Sequence, residues 1–181
     1  MRHPVPLIKW RDALQVAGVL GGDGVITQPV NLGDGLGTAD SILSPGASIG
    51  TLETGDVTFG IDSAFLLEIN STSVATDVLA STGTINLGLS TAQLNIFDLG
   101  GSILGLGERF TFITADGGVT GTFANYSDGK EFTVGSNIYA IEYHPNSVEI
   151  VAIPEPASTS TLLAGLVSLF SLRRFRRRKQ A

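Results

Sequence analysis

The sequence predicts an all-β body followed by a single C-terminal hydrophobic helix. Residues 21–152 consist of short runs rich in Val, Ile, Thr, Phe and Leu, separated by Gly, Asp, Asn and Ser, with no amphipathic helical stretch among them. A content of 43% apolar residues in 181 positions is enough to bury one core of ordinary size. Examples of these runs are 48–52, 56–59, 64–69, 83–87, 92–97, 109–114, 131–134, 137–143 and 147–151. Between them Gly55, Gly60, Asp98, Gly100, Gly101, Asp116, Gly117, Gly118, Asp128 and Gly129 supply turn chemistry. Residues 1–20 lack this pattern and are left undefined. Gly50-Thr51-Leu52 and Gly83-Thr84-Ile85 repeat a small-Thr-aliphatic triplet, as stacked coils would, although a sandwich or a barrel also accommodates such runs.

The formal charge of −6 conceals a segregation. Residues 1–172 carry seventeen acids against five bases, whereas Arg173, Arg174, Arg176, Arg177, Arg178 and Lys179 crowd the chain end. An acidic body offers nothing to nucleic acid, whose phosphates need clustered Lys and Arg. The absence of cysteine excludes a disulfide scaffold and thiolate metal sites.

Before the basic cluster, residues 157–172 contain neither charge nor proline. As a helix they would be about 24 Å long, slightly short of the roughly 30 Å hydrocarbon layer. Their seven strongly apolar side chains favour insertion by roughly 3.5 kcal/mol before six Ser/Thr hydroxyls are set against it. Snorkelling arginines help, and positive residues stay cytoplasmic, which places the acidic body outside. The competing readings are a buried core helix and, for the basic cluster alone, a nucleic-acid or anionic-lipid patch. A core helix would not need the RRFRRRK stop.

Directly ahead of the apolar run stand Pro154, Glu155 and Pro156. Two prolines bracketing one acid sit in neither a regular helix nor a central strand, so the tripeptide is an extended mark for another protein to read. This order of Pro-Glu-Pro, apolar helix and arginine cluster resembles the PEP-CTERM sorting signal of exported bacterial proteins, over residues 153–178. The resemblance implies recognition by an exosortase-type membrane enzyme and transient anchoring in the inner membrane with the basic tail cytoplasmic. It further implies delivery to the cell surface or an exopolysaccharide-rich matrix. Such proteins are expected to start with a secretory signal, but Lys9, Arg11 and Asp12 interrupt the apolar residues of MRHPVPLIKWRDALQVAGVLGGDG. The expectation is therefore a chain that is part of a longer protein, or whose start has been assigned too late.

A second resemblance concerns the body. LSPGASIGTLETGDVTFG at 43–60, FLLEIN at 65–70, GTINLG at 83–88, ERFTFITADGGVTGTFA at 108–124 and IYAIEYHPNSVEIVAIPEP at 138–156 look like the C-terminal end of autotransporter-type β-solenoid passengers. That implies parallel coils at the start, closed by antiparallel strands that blunt the open end. The expected organisation is thus an undefined segment 1–20, a β body 21–152 and a sorting signal 153–181.

No catalytic chemistry emerges. The only histidines are His3, in a proline-flanked start, and His144, before Pro145 at a hairpin tip. Zinc therefore lacks nitrogen ligands, and a Ser-His-acid triad would rest on His144 alone. Carboxylate pairs hydrolyse glycosides on some β-solenoids, but no acid cluster shares a face with aromatic sugar platforms, and the body bases Arg109 and Lys130 make no cationic floor. The acidic Gly loops at 21–24 and 33–40 invite calcium, yet the nonapeptide pattern needs an aspartate where Ile26 stands. Gly105-Leu106-Gly107 lacks the Lys-Ser/Thr of a phosphate loop. Asn70 and Asn125 sit in glycosylation sequons that turn chemistry also explains. The expected function is a non-enzymatic structural or adhesive surface protein without metal or cofactor. The alternatives are a glycan-binding adhesin and a β-solenoid polysaccharide hydrolase or lyase.

Overall fold

The computed structural model describes residues 12–36, 40–89 and 91–153. The body is all-β and its strands are dealt out in rounds of three. The first round is β1 (Leu14–Val16), β2 (Val19–Gly22) and β3 (Gly24–Ile26); the second is β4 (Val30–Leu32), β5 (Ser41–Pro45) and β6 (Thr51–Thr54). The third is β7 (Val57–Phe59), β8 (Ser63–Asn70) and β10 (Val78–Ser81), with the two-residue β9 (Ala75–Thr76) turned back on β8. The fourth is β11 (Thr84–Leu89), β12 (Gln93–Asp98) and β13 (Arg109–Ala115). After β14 (Gly118–Thr122) the rotation ends in a meander of β15 (Glu131–Val134), β16 (Asn137–His144) and β17 (Ser147–Ile153).

Each member of a round joins a different sheet. The first sheet, β1-β4-β7-β11-β14, and the second, β2-β5-β8-β12, pair in parallel from round to round. The third is mixed: β3, β6, β10 and β13 are parallel, and β17, β16 and β15 continue it antiparallel. Antiparallel strands therefore lie at the C-terminal end of the described residues. Strands β1 and β2 begin within the segment that composition left undefined, and the run placed at 48–52 is strand only from Thr51.

The core lies between the three sheets. Alternation sends Val57 and Phe59 inward and Thr58 outward on β7, and buries Ser41, Leu43 and Pro45 on β5. On β13 a register shift between Thr111 and Ile113 breaks the alternation, so Phe112 and Ile113 are both buried. Phe65 meets Phe59, Phe112 and Phe123 with ring centroids 6.3, 5.7 and 6.2 Å away, and Phe123 continues to Tyr143 at 6.5 Å. The aromatics that a sugar platform would require are in large part spent on this interior.

Three asparagines close exposed backbone. Asn125 Oδ1 accepts from Leu94 N at 3.0 Å while its Nδ2 donates to Leu94 O at 2.7 Å. Asn137 does the same for Leu104 N and Ser102 O at 2.8 and 2.9 Å, and Asn146 Nδ2 donates to Ala115 O at 2.7 Å. A carboxamide with one donor side and one acceptor side here stands in for a neighbouring strand. Asn70, by contrast, makes the turn contacts expected of it, to Thr72 N and Ser73 N. Replacing Asn125 with Ala leaves both polar groups of Leu94 without this partner and should cost about 1–2 kcal/mol in urea unfolding. Wild-type stability of that variant would contradict the capping role.

Candidate functional site

The predicted sorting residues, Pro154, Glu155 and Pro156, the apolar helix 157–172 and the basic cluster Arg173 to Lys179 lie outside the described residues. Among those described, no helix is long and apolar enough to cross a membrane. What the structure places is the strand that directly precedes that segment in sequence. Ile153 pairs with Ile138 at the end of β17, and Ala152 is bracketed on the other side by Gly107 N→Ala152 O at 2.9 Å and Ala152 N→Glu108 O at 2.8 Å. The next residue, Pro154, has no N–H to offer a ladder.

The second cluster was not foreseen. The two-residue connection Pro145-Asn146 sets His144 opposite Ser147 and hence Glu142 opposite Glu149, and β13 brings Arg109 beside them. Like charges facing across a ladder repel. Arg109 offsets this by bonding both carboxylates, at 2.8 Å to Glu142 and by a short contact to Glu149. His144 Nε2 lies 3.0 Å from Glu149 Oε1 and 3.7 Å from Glu142 Oε2, and Thr111 Oγ1 donates to Glu149 at 3.1 Å. Burial raises the Glu149 carboxyl. The hydrogen bonds from His144 and Thr111 and the Arg109 guanidinium outweigh it, holding Glu149 below its ordinary value.

Sequence reading found no acid cluster sharing a face with aromatic sugar platforms; the fold adds that Glu142 and Glu149 face each other, because a two-residue hairpin fixes which residues of β16 and β17 are opposite. The chemistry available there is limited. A general acid needs a raised pKa, and Glu149 is shifted the other way on an open sheet face. Glu142, His144 and Glu149 place one ligand atom each within 4.8 Å of one another, a spacing open to a cation, and the Arg109 guanidinium already supplies positive charge to both carboxylates. A shallow pocket of about 320 Å³ at the opposite end, lined by Asp12, Ala13, Leu14 and Gln28, contains one carboxylate and so lacks the pair that glycoside hydrolysis uses.

No protein-family model matches this chain, and no curated protein does.

Most of the remaining placed aspartates serve the backbone. Asp23 Oδ1 accepts from Thr51 N at 2.9 Å and Asp56 Oδ1 from Thr84 N at 2.7 Å, in both cases from a residue 28 positions on. Asp98 Oδ1 accepts from Ser71 N at 2.9 Å and Asp77 Oδ1 from Gly50 N at 3.1 Å, each 27 positions back. Asp62 Oδ2 takes Asp34 N and Gly35 N at 2.8 and 3.1 Å. Burial raises Asp62, but these backbone donors prevail and its carboxyl is lowered. The two Gly-Asp loops considered for calcium therefore take part in carboxylate-to-backbone contacts between rounds.

Proposed function

We propose that the chain is an exported bacterial cell-surface or extracellular-matrix protein, non-enzymatic and structural or adhesive, sorted by an exosortase-type enzyme through its C-terminal device. The observation that carries this is the order of residues after β17: Pro154-Glu155-Pro156, an uncharged apolar stretch, then six bases in seven positions. Strand β17 runs up to Ile153, the residue directly before the motif, so the motif follows the closing strand of the body in sequence. We also read the parallel rounds as the coils of a β-solenoid whose last turn is closed by β15, β16 and β17. The recurrence of aspartate contacts at 27 and 28 residues supports that reading, since each links one round to the next.

The test is expression in a bacterial host with and without an exosortase. Mass spectrometry of the membrane-bound species should show loss of the segment following the Pro-Glu-Pro motif only when the enzyme is present, and substitution of Glu155 with Ala should abolish the loss. Identical masses in both hosts would overturn the processing claim.

A further inference from the structure

Four of the large apolar side chains that the body exposes fall within ten residues: Phe97 at 53%, Leu99 at 48%, Ile103 at 82% and Leu106 at 75%. Isolated exposed apolar residues are ordinary, but a concentrated group marks a surface that meets something apolar. From Leu99 to Gly107 there is no charged residue, in a body otherwise rich in acids. The segment is also an insertion into the rotation, since Leu52 pairs with Leu79, 27 residues on, whereas Leu79 pairs with Ile113, 34 residues on.

The loop is pinned in this pose. Leu99 N donates to Ile69 O at 2.8 Å, Gly101 N to Thr72 Oγ1 at 3.2 Å, Leu104 N to Asn137 Oδ1 at 2.8 Å and Gly107 N to Ala152 O at 2.9 Å. Leu104 packs on the core, while Ile103 and Leu106 on either side of it are turned out. The contact with Ala152 fixes its position: the loop flanks the C-terminal end of β17. Only three residues separate Ile153 from the uncharged stretch at 157, and the four steps from Ile153 to Ala157 span at most about 14 Å. If that stretch enters a bilayer, that end of β17 is held within that distance of it.

We propose that residues 97–106 are a membrane-contact surface, with Ile103 and Leu106 seated in the bilayer interface beside the C-terminal anchor. This rests on the anchoring reading above and adds to it an orientation for the body. The acidic remainder of the body faces away from the lipid, and the insertion supplies the apolar contact that the acid-rich rounds do not.

The chain's lack of cysteine makes the test direct. The full chain carries an environment-sensitive fluorophore at Ile103→Cys or, as control, at Val25→Cys, and is reconstituted into phosphatidylcholine vesicles with nitroxide-labelled acyl chains. Val25 is 66% exposed on β3, four strands from β17 and hence about 19 Å away. The expected result is co-sedimentation of both proteins with vesicles, with a blue-shifted emission and several-fold stronger nitroxide quenching at position 103 than at 25. Co-sedimentation with equal quenching at both positions would overturn the contact surface and leave the anchor standing. Failure to co-sediment would overturn the anchoring reading and this one with it. Blue-shifted emission at 103 without lipid would show the loop covered by protein, which also overturns the proposal.

Discussion

Raising the pH from about 4.5 to about 7 should weaken the fold by on the order of 1–2 kcal/mol, and Asp77→Asn should remove most of that dependence. Asp77 is fully buried, with Oδ1 accepting from Gly50 N at 3.1 Å and Oδ2 from Glu68 N at 2.9 Å. Burial pushes its carboxyl up from 3.8 to about 6, the two backbone donors pull against it, and the nearby Glu68 and Asp23 carboxylates add to the rise. Between those two values the folded chain retains a proton that the unfolded chain has released. The associated stability is therefore complete below 3.8 and is lost as the pH climbs through about 6. Asp56, Asp62 and Glu149, whose carboxyls are lowered, work in the opposite sense, losing their contribution only as the pH falls below the ordinary carboxylate range. Asparagine at 77 keeps one acceptor but opposes an amide N–H to a backbone N–H, so the variant should be weaker than wild type at the acidic end. Urea unfolding followed by far-ultraviolet circular dichroism at the two pH values decides the matter. Wild-type stability that is flat or rises over this interval would refute the assignment.

The longer strands were legible because their composition is uniform over five or more residues. β8, β13, β16 and β17 coincide with runs read directly from Val, Ile, Phe and Thr. Among the strands not read, β1, β3 and β14 are three to five residues that include Gly or Gln, and β4 and β10 are three or four residues long, too short to present a recognisable alternation. The Gly-Thr-aliphatic triplets at 50–52 and 83–85 were visible as a repeat, but their cause was not. It lies in aspartates one round earlier, and the insertion at 99–108 prevents a single period from running through the chain. At the charged cluster, the pairing of Glu142 with Glu149 could have been read from the two-residue hairpin at Pro145-Asn146. The approach of Arg109 could not, because it depends on which strand β17 pairs with on its other side.

Gly83→Ala should cost about 2–3 kcal/mol, and the loss should be coupled to Asp56. A Cβ at position 83 would stand 2.3 Å from Asp56 Oδ1 and 2.9 Å from Asp56 Cγ, nearer than real side chains approach. The carboxylate has little freedom to withdraw, since Oδ1 is engaged by Thr84 N at 2.7 Å and Thr84 Oγ1 at 3.0 Å. Those Thr84 hydrogen bonds hold the Asp56 carboxyl below its ordinary value. An added methyl must therefore either displace the carboxylate from Thr84 or spread β7 from β11, and overpacking together with a lost charge-assisted bond gives about the stated magnitude. With Asp56→Ala already in place the worst collision is gone, although Asp56 N, 2.9 Å from the same Cβ, remains. A double-mutant cycle should then return a coupling of at least about 1 kcal/mol. Gly50 and Asp23 form an independent copy of the device: there the Cβ would fall 2.0 Å from Asp23 Oδ1, and Thr51 N supplies the bond. Because Gly46 Cα also lies 2.8 Å from that Cβ, Gly50→Ala should be rescued less completely by removing its aspartate. Additive losses at both pairs would mean that glycine is required by the backbone alone, and that the aspartate one round earlier is not what selects the Gly-Thr pair.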